Sequence, residues 1–238
     1  MSKILCVDIG NTNTKFAICS ENFYEYLGFV PTSEIVKVSA ADPYGEIRKD
    51  FRGAIISSVV PSKTEAGINL VRANFGVEPK LVPCDKGVGA DLYASMTYAK
   101  KHFELPCLVF SLGTAMTVYV LGENGKMQGG LIIPGIEPSL EAVAVKAENL
   151  TQITPYETDS FLEFSTVGAM NSGIIYGTAA QVEGLYRRII EKYDIKTLVL
   201  SGGYSELISK YVRLPHILER DIVLKGSYAI FKNENSNE

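Results

Sequence analysis

The chain has 238 residues with 46% hydrophobic and 21% charged residues, which excludes disorder and leaves room for one large or two medium domains. Its formal net charge of −4 argues against broad attraction to nucleic acid or to membrane surfaces. Cys6, Cys19, Cys84 and Cys107 are far apart and form no CxxC pair, so buried thiols in a reducing cytoplasm are expected rather than disulfides or a metal cage. No signal-peptide pattern opens the sequence, and no apolar run is long enough to span a bilayer.

The first element predicts the rest. Ile4-Leu5-Cys6-Val7 is an apolar strand running into Asp8-Ile9-Gly10-Asn11-Thr12-Asn13-Thr14-Lys15, and Phe16-Ala17-Ile18-Cys19 leaves as an antiparallel return. A carboxylate, Asp8, stands at the strand end, and Gly10 permits close backbone approach. Asn11, Thr12 and Thr14 supply neutral donors and Lys15 a cation. A carboxylate for a divalent metal beside donors for phosphate is what a nucleotide-phosphate site needs, although an ordinary hairpin uses the same turn residues. Residues 23–30 alternate and predict a third strand. Thr32 or Ser33 is positioned to cap a short helix. Residues 53–61 read as a buried strand ending in small hydroxyls and a proline. Ser62 with Glu65 predicts a capping box for a helix ending near Phe75, and residues 80–83 predict another short strand. Gly87-Val88-Gly89-Ala90-Asp91 then opens a helix over 91–103. The plainer role for Asp91 is to cap that helix; the chemical one is a general base held beside a substrate.

The second half repeats the first. Cys107-Leu108-Val109-Phe110-Ser111-Leu112-Gly113-Thr114 is again an apolar strand meeting a glycine turn, with return strands expected over 118–121 and 126–133. Gly129-Gly130 suggests a bulge or close backbone approach. Helices are expected over 137–148 and 165–193, a strand over 196–200, and a third glycine turn at Ser201-Gly202-Gly203, where a nucleoside would rest. A helix from Ser205, a last strand at Ile222-Val223-Leu224, a terminal helix and a polar tail from Asn233 complete the chain. The expected architecture is α/β, with two similar halves, 1–105 and 106–238, facing each other across a cleft and gripping one phosphate chain from both sides. That arrangement suits phosphoryl transfer, where positioning and charge neutralisation do most of the catalysis. A dinucleotide-binding fold is a poorer match because the glycine turn opens a hairpin, not a helix.

These motifs resemble the acetate kinase, sugar kinase, heat-shock and actin superfamily, with its ribonuclease H-like halves, and within it the type III pantothenate kinases. The resemblance rests on Asp8-Ile9-Gly10-Asn11-Thr12 with Lys15, Ser58-Val59-Val60-Pro61, Gly89-Ala90-Asp91, Gly113-Thr114-Ala115, Gly129-Gly130 with Pro134-Gly135, Ser165-Thr166, Ser172-Gly173, Tyr176-Gly177, Gly202-Gly203 and Leu224-Lys225-Gly226. It covers nearly the whole chain, and it is the order and spacing that are specific. It implies ATP-dependent phosphorylation of pantothenate, the first step of coenzyme A synthesis, by a cytoplasmic homodimer using Mg2+ and a monovalent cation, K+ or NH4+. By the same resemblance Asp8 holds Mg2+, and Gly10, Asn11, Thr12, Lys15, Gly113 and Thr114 bind the phosphates of ATP. Gly89, Ala90 and Asp91 meet pantothenate, Asp91 is the general base, and Thr166 reaches the pantothenate site from the partner subunit.

Two positions depart from the family pattern. Leu92 stands where an arginine would pair with the pantothenate carboxylate, a loss of ~2–5 kcal/mol, or about a hundredfold in binding. Ser111 stands where an aspartate would gather the monovalent cation, and a neutral hydroxyl is a poorer cation ligand. The loop before Gly89 is also short. Asp8 and Asp91 favour a working kinase. Leu92 and Ser111 keep open a kinase for another small hydroxyl compound, or a catalytically degenerate paralogue acting as a nucleotide-binding or regulatory protein.

Overall fold

The computed structural model describes residues 3–38, 51–83 and 87–235. Cys84 and the tail past Asn235 lie outside them. The described part divides into two compact units, Met1–His102 with Ile222–Glu238, and Phe103–Asp221.

In the first unit, β1 (Lys3–Ile9), β2 (Asn13–Ser20) and β3 (Phe23–Pro31) form an antiparallel meander. A 3-10 turn (Thr32–Glu34) and α1 (Ile35–Val38) lead on to β4 (Phe51–Ser58), which runs parallel to β1, and α2 (Pro61–Phe75) to β5 (Pro79–Leu81), parallel to β4. The strand order is β3-β2-β1-β4-β5. β1 has no polar side because both its faces are covered. Ile4 and Cys6 point to one core with Ala17, Cys19 and Ile55, while Leu5, Val7 and Ile9 point to another with Phe16, Leu70 and Phe75. α3 (Ala90–His102) and α7 (Ile222–Asn235) cover the first of these faces through Ala90, Ala94, Leu224 and Ile230.

The second unit has the same wiring. β6 (Cys107–Leu112), β7 (Ala115–Leu121) and β8 (Met127–Pro134) make the meander. α4 (Ile136–Lys146) and α5 (Thr166–Ile190) follow, then β9 (Thr197–Ser201), α6 (Ser205–Ser209) and β10 (Ile217–Leu218). Read from the meander edge, the order is β8-β7-β6-β9-β10, with β9 parallel to β6 and β10 parallel to β9. The repeat expected from the glycine turns is thus a repeat of whole sheets.

Three expectations need correction. Ile222-Val223-Leu224 is not a strand: it opens α7, and the fifth strand is β10. Three apolar residues fit either period; Ile222 and Leu224 are buried, and Gly226 lets α7 cross α3 so closely that a Cβ there would lie 2.0 Å from the Ala94 carbonyl oxygen. The same crossing explains the second correction. The last helix belongs to the first unit, not to the half expected over 106–238. Third, Ser62 does not cap α2. Its N-cap is Val60, with Pro61 in the first turn and no side-chain cap bond. Ser58 braces the approach to the helix without capping it, its hydroxyl accepting from the Val60 N–H at 3.3 Å and bonding the Thr64 hydroxyl at 2.8 Å.

Cys6, Cys19 and Cys107 are free and buried, and burial raises the thiols of Cys6 and Cys107, the latter to about 11, so both stay protonated and unreactive at neutral pH.

Candidate functional site

The turn between β1 and β2 is closed by its own backbone. The Gly10 N–H donates to the Asn13 carbonyl at 3.1 Å, and a Cβ on Gly10 would sit 3.1 Å from that oxygen. Thr32, just past β3, then ties the turn down. Its N–H donates to the Thr12 carbonyl at 2.9 Å and its hydroxyl to the Gly10 carbonyl at 2.7 Å. That uses the Thr32 proton, so the Thr14 hydroxyl, 3.0 Å away, is the donor in the Thr14–Thr32 pair. Both threonines are buried. Thr14, expected to offer a donor to phosphate, faces inward, and Thr32 braces the turn without capping the 3-10 turn, which has no side-chain cap bond. Asn11 and Thr12 are exposed at the tip.

Strand register places the charged groups. Asp8 pairs with Lys15 on one side and with Ser57 on the other, so the three share a face. It is the face carrying Ile4 and Cys6, the one α3 covers. Asp8 and Ser57 lie at the carboxyl ends of two parallel strands, the usual place for a ligand in a sheet of this kind. Asp8 and Lys15 are half-buried, whereas Ser57 is fully buried and its hydroxyl has no hydrogen-bond partner.

The first turn of α3 comes to the same end of that face. The Gly89 carbonyl accepts from the Tyr93 N–H at 2.9 Å, and a Cβ on Gly89 would fall 2.8 Å from Asp91 Oδ1 and 3.4 Å from Val59, just past β4. Glycine here makes room for the carboxylate. Asp91 Oδ1 accepts the Leu92 N–H at 2.7 Å. Burial raises its pKa above the ordinary carboxylate value, and bonds from the backbone N–H groups of Leu92 and of Asp91 itself oppose that rise. Asp91 does not precede α3 as its cap: the helix begins at Ala90, and Asp91 lies within the first turn as a desolvated carboxylate that accepts the next N–H. Ala90 is buried in the core, while Leu92 is half-buried.

The second unit builds its turn the same way, one residue shorter. The last ladder pair is Leu112 with Met116, against Ile9 with Thr14 in the first. The Gly113 N–H donates to the Ala115 carbonyl at 3.2 Å. Gly135, just past β8, donates its N–H to the Thr114 carbonyl at 3.0 Å, as Thr32 does to Thr12. A Cβ on Gly135 would lie 2.2 Å from the Gly113 oxygen, so no other residue fits. Ser111 pairs with Thr117 and Ser201, the positions matching Lys15 and Ser57, and supplies no charge. The Ser201 hydroxyl donates to the Arg220 carbonyl at 3.2 Å. Gly202, at φ +91°, packs against the end of β6, and Tyr204 reaches from that turn to α4, its hydroxyl donating to Glu137 at 2.6 Å. Thr166 is exposed at the start of α5, whose N-cap Ser165 accepts the Gly168 N–H at 3.1 Å. A small pocket of about 30 Å³ touches Gly113, Gly135, Ser139, Thr178 and Gln181.

The donor set on the first unit fits a hard cation with phosphate. No group of three or more metal-ligating His, Cys, Asp or Glu occurs among the described residues. One carboxylate and an adjoining unpartnered hydroxyl suit Mg2+, which keeps several waters and is held by one or two carboxylates plus substrate phosphates, and the nearby lysine suits the phosphates.

The chain as a whole is similar to known proteins. A family model described as type III pantothenate kinase matches residues 4–188. The type III pantothenate kinase of Paramagnetospirillum magneticum is 31% identical, with 98% of each chain covered. Among solved structures, the chain resembles a protein described as a Baf family transcriptional activator from Campylobacter jejuni, at TM-score 0.60 and 19% identity over 98% of this chain and 100% of that one. It also resembles the activator of 2-hydroxyisocaproyl-CoA dehydratase from Clostridium difficile, solved with bound ADPNP, at TM-score 0.57 and 14% identity over 99% and 97% of the two chains. At these identities the solved structures establish the fold alone. The family-model match and the near full-length likeness to a curated relative go further: the chain belongs to the type III pantothenate kinase family.

Proposed function

We propose that the chain transfers the γ-phosphoryl group of ATP to the hydroxyl of pantothenate, giving 4'-phosphopantothenate and ADP, the first step of coenzyme A synthesis. The observation that carries this reading is Asp91: a desolvated carboxylate in the first turn of α3, at the sheet end and face that also carry Asp8 and Lys15. Its Oδ1 is engaged by the Leu92 N–H, which leaves Oδ2 to take the hydroxyl proton as the substrate oxygen attacks phosphorus and the bond to the β-phosphate oxygen breaks. Its raised pKa brings it nearer to the proton it must accept. Gly89 and Ala90 line the acceptor side. Gly10, Asn11, Thr12 and Lys15 hold phosphate from the first turn, and Gly113 and Thr114 from the second. Asp8 would hold Mg2+, which when bound neutralises charge on the phosphate oxygens.

The finer assignments extend the same reading. A monovalent cation, K+ or NH4+, belongs at Ser111, held weakly for want of a carboxylate. The chain works in the cytoplasm without nucleic acid, in keeping with its net charge of −4. It acts as a homodimer. Phe161, Leu162, Phe164 and Val167 are exposed around Thr166. Their loop is held firmly, because the Ser172 hydroxyl bonds the carbonyls of Ser160 and Phe161 at 2.7 Å each and Asn171 makes two bonds to the Tyr156 backbone. A rigid apolar loop of this kind suits a second copy, and it would carry Thr166 to the partner's acceptor pocket. Leu92 favours a second reading, in which the acceptor is a small alcohol with no carboxylate at that position.

Purified protein with Mg-ATP, K+ and pantothenate is expected to form phosphopantothenate, detected by mass spectrometry. Asp91→Asn is expected to lower turnover by ~10²–10⁴-fold. No product at high pantothenate, with product from other small alcohols, would favour the second reading. Asp91→Asn also has a stability signature. A folded-state pKa above the unfolded one means that ionised Asp91 destabilises the native state. The variant therefore melts no lower than wild type at pH 7, and its advantage fades as pH falls through the folded and then the unfolded pKa. Leu92→Arg with Ser111→Asp is expected to raise kcat/KM for pantothenate by about tenfold to a hundredfold; a folded double variant with no gain contradicts the roles given to those positions. Light scattering is expected to give a dimer of the 26.0 kDa chain, and Phe164→Asp a monomer; a wild-type monomer contradicts the dimer assignment.

A further inference from the structure

We infer that the Ser57 hydroxyl is a positioning group for the metal–nucleotide, seating a water beside the Asp8 carboxylate when Mg2+ and nucleotide are bound. The inference rests on the proposed kinase reading and adds a residue to its phosphate site. Ser57 is fully buried, and its hydroxyl is one of three buried side-chain polar atoms among the described residues without a hydrogen-bond partner. A buried hydroxyl without a partner is costly, and a fold keeps one only where something else completes it. Ser57 is paired in register with Asp8, and Asp8 with Lys15. The unused hydroxyl therefore adjoins the carboxylate at the carboxyl end of β4, on the face that Asp91 approaches.

The second unit is an internal control. Ser201 on β9 pairs with Ser111 on β6 as Ser57 on β4 pairs with Asp8 on β1. Where the carboxylate is gone, the serine is satisfied inside the protein: Ser201 donates to the Arg220 carbonyl at 3.2 Å. Where the carboxylate remains, the serine is left open. Bound Mg2+ keeps much of its water shell, and such waters need fixed partners. A hydroxyl that both donates and accepts, fixed on a central strand, holds one of them without adding charge. Groups that orient a metal ligand in this way typically change metal affinity by ~10–100-fold when removed.

The test is Ser57→Ala, with melting of the nucleotide-free protein and Mn2+ affinity of the ADP complex, read by water-proton relaxation. The variant is expected to melt at or above the wild-type temperature, since it removes an unsatisfied buried group. Its ADP complex is expected to bind Mn2+ about tenfold more weakly, while ADP binding without metal is unchanged. Ser57→Thr, which keeps the hydroxyl, is expected to restore most of the metal affinity. Wild-type Mn2+ affinity in Ser57→Ala overturns the inference and leaves the kinase reading intact. A lower melting temperature without nucleotide also overturns it, because the hydroxyl would then be structural. If the wild-type ADP complex itself binds no Mn2+, the kinase reading falls and this inference with it.

Discussion

One backbone hydrogen bond, made twice, organises the glycine turns. In each unit the residue just past the third strand donates its N–H to a carbonyl in the turn between the first two: Thr32 to Thr12, and Gly135 to Thr114. The meander thereby folds back on its own turn and fixes the shape of a loop that strands alone would leave free. The first unit adds the Thr32 hydroxyl to Gly10, braced by Thr14. The second has no side chain to add, because a Cβ on Gly135 would collide with the turn it holds. Preorganised backbone is what transfer to a phosphate chain requires, since little covalent chemistry is left for the protein to do.

The two units share this device but not its charge. The first sets Asp8 between Lys15 and Ser57 and brings a desolvated Asp91 to the same sheet end. The second sets Ser111 between Thr117 and Ser201, all neutral, on a turn one residue shorter. In the proposed reading, metal and base both belong to the first unit. The second offers backbone and the Gly202 turn, locked to the end of β6 by the Tyr204 N–H to Leu112. Leu92, half-buried on α3, and Ser111, in register between Thr117 and Ser201, leave this framework whole.

The sequence revealed what depends on local pattern. The central strands, the repeat and the glycine turns could be read because apolar runs on central strands and small residues at strand ends leave strong marks, whereas the two-residue edge strand β10 leaves none. The partners of the threonines could not. Thr32 looks like a cap and Thr14 like a phosphate donor until the third strand returns to the turn, a contact across 22 residues. The placement of α7 was hidden for a similar reason: its partner, α3, lies more than a hundred residues earlier, and Gly226 marks that crossing only once Ala94 is known to face it. Ser57 carries no signal in a run of small residues. Its significance comes from register with Asp8 and from a missing partner, neither of which a sequence displays. The site residues came mainly from family resemblance; the geometry shows where Asp8, Gly89 and Asp91 lie, at one end of one sheet face.

The central claim is that charge handling at the phosphates lies with Asp8 and not with its counterpart at Ser111. The direct measurement is calorimetric titration of Mg2+ into ADP-saturated protein, comparing wild type, Asp8→Asn and Ser111→Ala. The account predicts that Asp8→Asn weakens Mg2+ binding at least about tenfold while Ser111→Ala leaves it unchanged. Equal loss in both variants, or none in Asp8→Asn, would contradict it.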